Sequence, residues 1–253
     1  MVAIRSRITR RAGAGRLTLA IVAAAAMAIA GGLVVAHDPA SPWRWLHWAC
    51  KPLATILILA MAWRSRWPVS RRYRRWILAG IACSLFGDVF LMLPGDLFVP
   101  GLLAFLLGHL CFIAALLGDS RFGARPRLLL ASLGYGAVNL ALLWDSIGAP
   151  LRMPVIVYVL VLACMGGQAL ARAQVFAQRG DAQLASARRA AVGAMLFMLS
   201  DSLLAWNRFH AAIPWSSLWV LSTYYLALWW IAHSVQRDRI LSKAGTIEAG
   251  AFQ

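Results

Sequence analysis

Acidic side chains are scarce in this chain: nine Asp and Glu stand against 25 Lys and Arg, and charged residues make up only 13% of its 253 positions. A soluble domain is about a quarter charged, so this scarcity excludes an ordinary soluble enzyme. Cysteine is limited to Cys50, Cys83, Cys111 and Cys164, each inside an apolar run and none in a CxxC pair. That excludes a zinc-ribbon or disulfide framework and leaves the cysteines as small apolar fillers. No P-loop, GxSxG or HExxH occurs, which removes the usual soluble nucleotide-binding and hydrolase patterns. The shared outline of "GDVFLM" and "SDSLLA" is too short to establish an internal duplication.

What fills the chain instead is apolar. Hydrophobic residues account for 61% of it, and the mean hydropathy is +0.70. Apolar runs near 17–36, 44–63, 74–93, 97–118, 127–144, 151–171, 189–207 and 215–235 each approach the ~20 residues that cross a bilayer as helix. Breakers separate them: Pro39 and Pro42, Pro68, Pro94 with Gly95, Pro126, Gly148 with Pro150, Gly180, and Pro214. The expected fold is therefore all-α, a polytopic membrane bundle of about eight transmembrane helices. Residues 1–16 form a basic tail, 17–235 the membrane domain and 236–253 a C-terminal tail. The run from Leu17 to Ala36 is longer than a signal-peptide core and more spans follow, so it reads as an uncleaved first helix.

Position decides what the formal charge of +16 means. With a cytoplasmic N-terminus, 21 of the 25 Lys and Arg fall in the tails and loops on that side. Only Arg44, Arg152 and Arg208 fall on the other, with Lys51 inside a span. This is the positive-inside pattern; it requires an even number of spans and places both termini in the cytoplasm. The excess charge is thus topology, and nucleic acid is excluded as a partner. Trp43, Trp45, Trp48, Trp144, Trp206, Trp215 and Trp219 gather at the opposite helix ends, as interfacial aromatics do. The preference for Arg over Lys and the abundance of Ala suit a bacterial gene of high GC content, hence an inner membrane.

Few strongly polar groups remain within the spans: His47, Lys51, Asp88, His109, Asp201 and His233. A charge at mid-span costs about 2.5–3.5 kcal/mol even on the insertion scale, so these groups are expected to face the bundle interior. At 1.5 Å per residue, Asp88, Asp201, Lys51, His109 and Tyr224 all fall in the non-cytoplasmic half, which suggests one shared polar chamber opening outward. One carboxylate is expected to pair with Lys51 while the other holds its proton. Such a pair is equipped to protonate one atom of a substrate while activating water at another. Lys51 could instead snorkel, and His109 after Gly108 could serve only a helix contact. His47 and His233 read as interfacial, Tyr73, Tyr135 and Tyr158 as belt or packing residues, and "LACMGGQAL" as a helix-packing seam.

The order "CKPLATILIL" (50–59), "SLFGDVFLML" (84–93), "GLLAFLLGHLCFIAAL" (101–116), "GAMLFMLSDSLLAWNRF" (193–209) and "STYYLALWWIAHS" (222–234) resembles the YhhN family, the TMEM86 or lysoplasmalogenase proteins. The resemblance implies an eight-helix membrane hydrolase. Family members from animals cleave the vinyl ether bond of lysoplasmalogens, releasing a fatty aldehyde and glycerophosphoethanolamine or glycerophosphocholine. The family's polar motif positions map onto Lys51, Asp88, His109, Ser200, Asp201, Asn207, Thr223 and Tyr224. One departure is Leu228, where the family commonly has Gln.

The expected mechanism is acid–base catalysis by Asp88 and Asp201, with His109 orienting a carboxylate or relaying protons. Lys51, Asn207 and Tyr224 would hold the phosphate of a lysophospholipid, with Thr223 and Ser200 beside them. No cofactor or metal is implied, since one His near two Asp is a thin ligand set. The alternative is a proton-coupled transporter of lipids or small molecules using the same Asp, His and Lys.

Overall fold

The computed structural model describes residues 2–237, with side chains from residue 15 onward. The side chains of Arg5, Arg7, Arg10 and Arg11, and the tail from residue 238 with Arg239 and Lys243, lie outside the described residues. Eight α-helices follow one another: α1 Val2–His37, α2 Trp43–Trp63, α3 Arg71–Phe90, α4 Phe98–Leu116, α5 Pro126–Leu143, α6 Ala149–Arg179, α7 Leu184–Phe209 and α8 Ser216–Ser234. A 3₁₀ turn at Trp144–Ser146 joins α5 to α6. The polytopic all-α architecture expected from hydropathy is what the chain adopts, as a multi-pass membrane protein.

Helix boundaries differ from the apolar runs for local reasons. The stretch assigned to a basic tail continues α1 to Val2. α6 runs past the apolar segment to Arg179 and stops where Gly180 takes the left-handed conformation, φ 62°, which a residue without Cβ adopts freely. α3 starts where Ser70 Oγ accepts from the Tyr73 backbone N–H at 3.0 Å, and α5 opens on Pro126, its N–H not needed there. By length and hydropathy six helices are apolar enough to span; α3 and α8 fall short. α3 opens on "RRYRRW", while α8 carries Ser, Thr, Tyr and Trp along its length.

Packing divides the bundle into two halves. α8 lies against α1, α2 and α3; α6 lies against α4, α5 and α7; the α3–α4 and α7–α8 contacts join the halves. Small residues make these joints close. A Cβ on Gly87 of α3 would meet the Phe105 ring of α4 at 2.5 Å, and one on Gly108 would sit 3.1 Å from the Gly80 carbonyl. In "LACMGGQAL", Gly166 faces Met198 of α7, and a Cβ on Gly167 would come within 2.8 Å of the Leu129 backbone of α5. The run is a packing seam, as its composition suggests. Leu228, fully buried, belongs to the core on α8.

The two ends of the bundle are tied differently. At one end Val69 N donates to Val235 O and Arg237 N to Trp67 O, each at 2.9 Å, stitching the α2–α3 connection to the end of α8. Arg172, assigned from sequence to a loop, instead lies within α6 and is fully buried. Its Nε and Nη2 donate to Asp119 at 2.7 and 2.6 Å, and its guanidinium stacks over Phe176 and Tyr73. At the opposite end Arg208 reaches Asp96.

Removing Asp119 leaves the Arg172 charge buried without its carboxylate, so Asp119→Ala should destabilise the protein by about 3 kcal/mol. Replacing both residues with apolar ones should recover most of that loss. Thermal unfolding in detergent checks both outcomes.

Candidate active site

Two polar clusters sit inside the bundle, one in each half. The first surrounds Asp88 of α3, which is 2% exposed. Its Oδ2 accepts from Thr55 Oγ1 of α2 at 2.8 Å and from Tyr224 Oη of α8 at 2.7 Å. Lys51 Nζ stands 3.7 Å from Oδ1, and Tyr225 Oη donates to the Lys51 carbonyl at 3.4 Å. Two hydroxyl donors and one ammonium group thus converge on a single carboxyl group. Lys51 is itself buried, so it turns inward here and does not snorkel.

The second cluster joins three further helices. Tyr158 of α6 donates to Asp201 Oδ2 of α7 at 2.5 Å. His109 Nε2 of α4 lies 2.9 Å from Tyr158 Oη and 3.5 Å from Asp201 Oδ2. Because the Tyr158 proton is directed at Asp201, His109 is the donor to Tyr158 through Nε2, and its buried Nδ1 has no partner among the described residues. The result is a directed chain, His109 to Tyr158 to Asp201, along which a proton can move by local rearrangement.

Aromatic rings separate the clusters. Phe197, fully buried, has its ring 4.7 Å from His109 and 5.6 Å from Tyr224, edge-on to both. Phe105 packs edge-on against Phe197 and Tyr224 at 6.2 and 5.9 Å. The expected single chamber is therefore two compartments meeting at an aromatic wall, and no hydrogen bond joins Asp88 to Asp201 among the described residues. The physical reason is the join between the bundle halves: α4, α7 and α8 present rings, not polar groups, at their contact.

The second cluster borders open space. A narrow cleft with a cavity volume of about 80 Å³ runs between α4, α5, α6 and α7. Its walls are apolar, including Leu102, Leu140, Val155 and Phe209, and Tyr158 and Asp201 stand on them. Asn139, which accepts from Trp206 Nε1 at 3.0 Å, adds a polar point. Asp201 is partly exposed, 12% for its side chain, whereas Asp88 is sealed.

The remaining residues singled out from sequence are engaged elsewhere. Ser200 Oγ donates to the Val220 carbonyl at 3.0 Å, tying α7 to α8. Thr223 Oγ1 returns to the Trp219 and Val220 carbonyls of its own helix at 2.7 and 3.0 Å. Asn207 Oδ1 accepts from Ile213 N at 2.9 Å and braces the α7–α8 connection. His47 is anchored to α1 through the Ala28 carbonyl at 2.7 Å. Sequence reasoning missed Thr55 and misread Tyr158 as packing. Thr55 lies one helical turn after Lys51 on the same face, and Tyr158 carries the one hydroxyl in an otherwise apolar stretch of α6, but neither feature by itself marks a partner for a carboxylate.

The sequence model of the YhhN family matches residues 46–235. The chain is 33% identical over 168 residues to a human protein named lysoplasmalogenase TMEM86B, 66% of each chain. It is 29% identical over 191 residues to the bovine lysoplasmalogenase TMEM86A, 75% of this chain and 77% of that one. To a Mycobacterium bovis protein named lysoplasmalogenase it is 36% identical over 163 residues, 62% and 58% of the two chains. No solved structure matches.

Substituting Lys51 by Met strands Asp88 in a low-dielectric site, a loss of about 3–5 kcal/mol. Adding Asp88→Asn should restore part of it, because a neutral amide needs no counter-ion. A double-mutant cycle on thermal unfolding reads the coupling.

Proposed function

The chain belongs to the YhhN family, and from that premise we propose that it is a membrane-embedded lysoplasmalogenase-like hydrolase. It cleaves the vinyl ether bond of a lysoplasmalogen to a fatty aldehyde and a glycerophospho-alcohol. The relatives named lysoplasmalogenase, 29–36% identical, support the reaction class. The observation that carries the reading to particular residues is the His109–Tyr158–Asp201 chain on the wall of an apolar cleft.

In this reading the hydrocarbon chain lies in the cleft between α4, α5, α6 and α7. The π electrons of the vinyl ether take a proton at the carbon β to oxygen, leaving an oxocarbenium ion. Water then adds to the neighbouring carbon and gives up a proton, and the hemiacetal collapses to aldehyde and alcohol, with one water consumed. Asp201, protonated on the oxygen that does not accept from Tyr158, delivers the first proton, and His109 orients the pair through Tyr158. The Asp201 carboxylate so released stabilises the cation and takes the proton from water. Asp88, with Lys51, Thr55 and Tyr224, stands behind Phe105 and Phe197. It is the second carboxylate of this reading as a positioning residue: matched in charge by Lys51, it holds α2, α3 and α8 in register without touching the chain of the lipid.

Both termini face the cytoplasm of a bacterial cell in this reading, because the loops rich in Arg gather at one end. The cleft then lies in the non-cytoplasmic half of the membrane. A transporter would leave its substrate intact, whereas a hydrolase releases aldehyde.

Purified protein incubated with lysoplasmalogen should release fatty aldehyde, read by mass spectrometry. Asp201→Asn should lower kcat by about 100-fold or more, the usual range for a positioned acid–base group, and Tyr158→Phe, which removes one hydrogen bond to it, by about tenfold. Wild-type rates in a folded Asp201→Asn protein would refute the assignment, and intact lipid with the wild-type protein would refute the reaction.

A further inference from the structure

The chain places very few cations at the end of the bundle that carries the α1–α2, α3–α4, α5–α6 and α7–α8 connections: among described residues these are Arg44, Arg152 and Arg208. Two of the three contact residues that line the apolar cleft. Arg152, in the first turn of α6, donates through Nε to the Ile147 carbonyl at 3.2 Å, and its guanidinium lies 4.6 Å from the Trp144 ring. Ile147 and Val155, which flank it in sequence and space, both line the cleft. Arg208 lies over the Phe98 ring at 5.1 Å, and Phe98 meets Phe209 edge-on at 5.6 Å. Both of these rings are cleft walls as well. Arg44, in contrast, stacks on Trp45 of its own helix, away from the cleft.

We propose that Arg152 and Arg208 form the phosphate subsite for a lysophospholipid whose single chain fills the cleft. The inference rests on the proposed hydrolase reading and names which part of its substrate is gripped. An apolar groove with cations at one end fits an amphiphile with an anion at one end. The spacing fits too. Six residues of α6 separate Arg152 from Tyr158 and seven of α7 separate Asp201 from Arg208, roughly 9 and 10 Å along the helix axes. In a lysoplasmalogen seven bonds join phosphorus to the β carbon of the vinyl ether, roughly 9 Å when extended. A phosphate seated on the rim therefore sets the reacting carbon beside Tyr158 and Asp201.

Nothing at the rim prevents this seating. The Arg208 contacts to Asp96, both 2.9 Å, join side chains 43% and 71% exposed, and an exposed pair of this kind is weak and exchangeable. A phosphodiester can displace Asp96 and receive two guanidinium groups. Lys51 and Tyr224, expected from sequence to hold the phosphate, are committed to Asp88, and Asn207 to a backbone N–H, which leaves the arginines as the cationic groups in contact with the cleft lining among the described residues.

The test is equilibrium binding to purified protein of two non-cleavable lipids, an alkyl-ether lysophosphatidylcholine and the alkylglycerol without its phosphate. Arg152→Gln and Arg208→Gln should each weaken the phosphate-bearing lipid by about tenfold or more relative to the alkylglycerol. Arg208→Lys keeps the charge and should lose less, and Asp96→Asn, which frees Arg208, should bind as well as or better than the parent. An equal loss for both lipids would mean that the arginines only support the fold, and no loss would place the phosphate elsewhere; either overturns the proposal. If oleate shows the same arginine dependence and the lysophospholipid does not, the subsite is for carboxylates and the proposal also falls. Arginine-dependent binding of lysoplasmalogen without aldehyde release would instead overturn the hydrolase reading and leave the subsite standing.

Discussion

A carboxylate inside an apolar bundle persists only if donors surround it, and this requirement organises the centre of the molecule. Asp88 draws on α2 and α8 through Thr55, Lys51 and Tyr224. Asp201 draws on α4 and α6 through His109 and Tyr158. Six helices are thereby committed to fixed mutual positions by hydrogen bonds whose loss exposes a charge to a low-dielectric medium. Helix packing alone, between surfaces as apolar as the lipid around them, would not fix one register so firmly.

The same constraint assigns unequal chemistry to two similar residues. Asp88 accepts from two hydroxyls beside Lys51 and is sealed behind Phe105 and Phe197, whereas Asp201 has one strong donor, a histidine behind it and a cleft in front. In the proposed reading the first positions helices and the second exchanges the proton. The aromatic wall lets two carboxyl groups share one bundle without sharing a site: rings fill the join between halves and keep a polar channel from running through it.

In the proposed reading, the residues that bind lipid follow from where the cleft opens. Its walls supply burial for a hydrocarbon chain in proportion to the apolar surface covered, which by itself selects no particular head group. Selectivity has to come from the few polar groups at the rim, and a nearly arginine-free end of the bundle makes each arginine found there informative.

The multi-pass helical architecture, the segregation of charge and the unusual status of Asp88, Asp201, Lys51 and His109 were legible from residue order, because hydropathy, loop charge and the cost of burying an ion are properties of the chain read locally. Thr55 and Tyr158 were not, since a hydroxyl in an apolar run is cheap to bury and acquires meaning only from what another helix sets against it. Likewise Arg172 read as a loop residue until α6 was seen to continue and Asp119 to meet it. Which of the polar residues became partners, and which, like Ser200, Thr223 and Asn207, turned to backbone, was decided by the tertiary structure alone: hydrogen bonds depend on distances of tenths of an ångström between helices far apart in sequence.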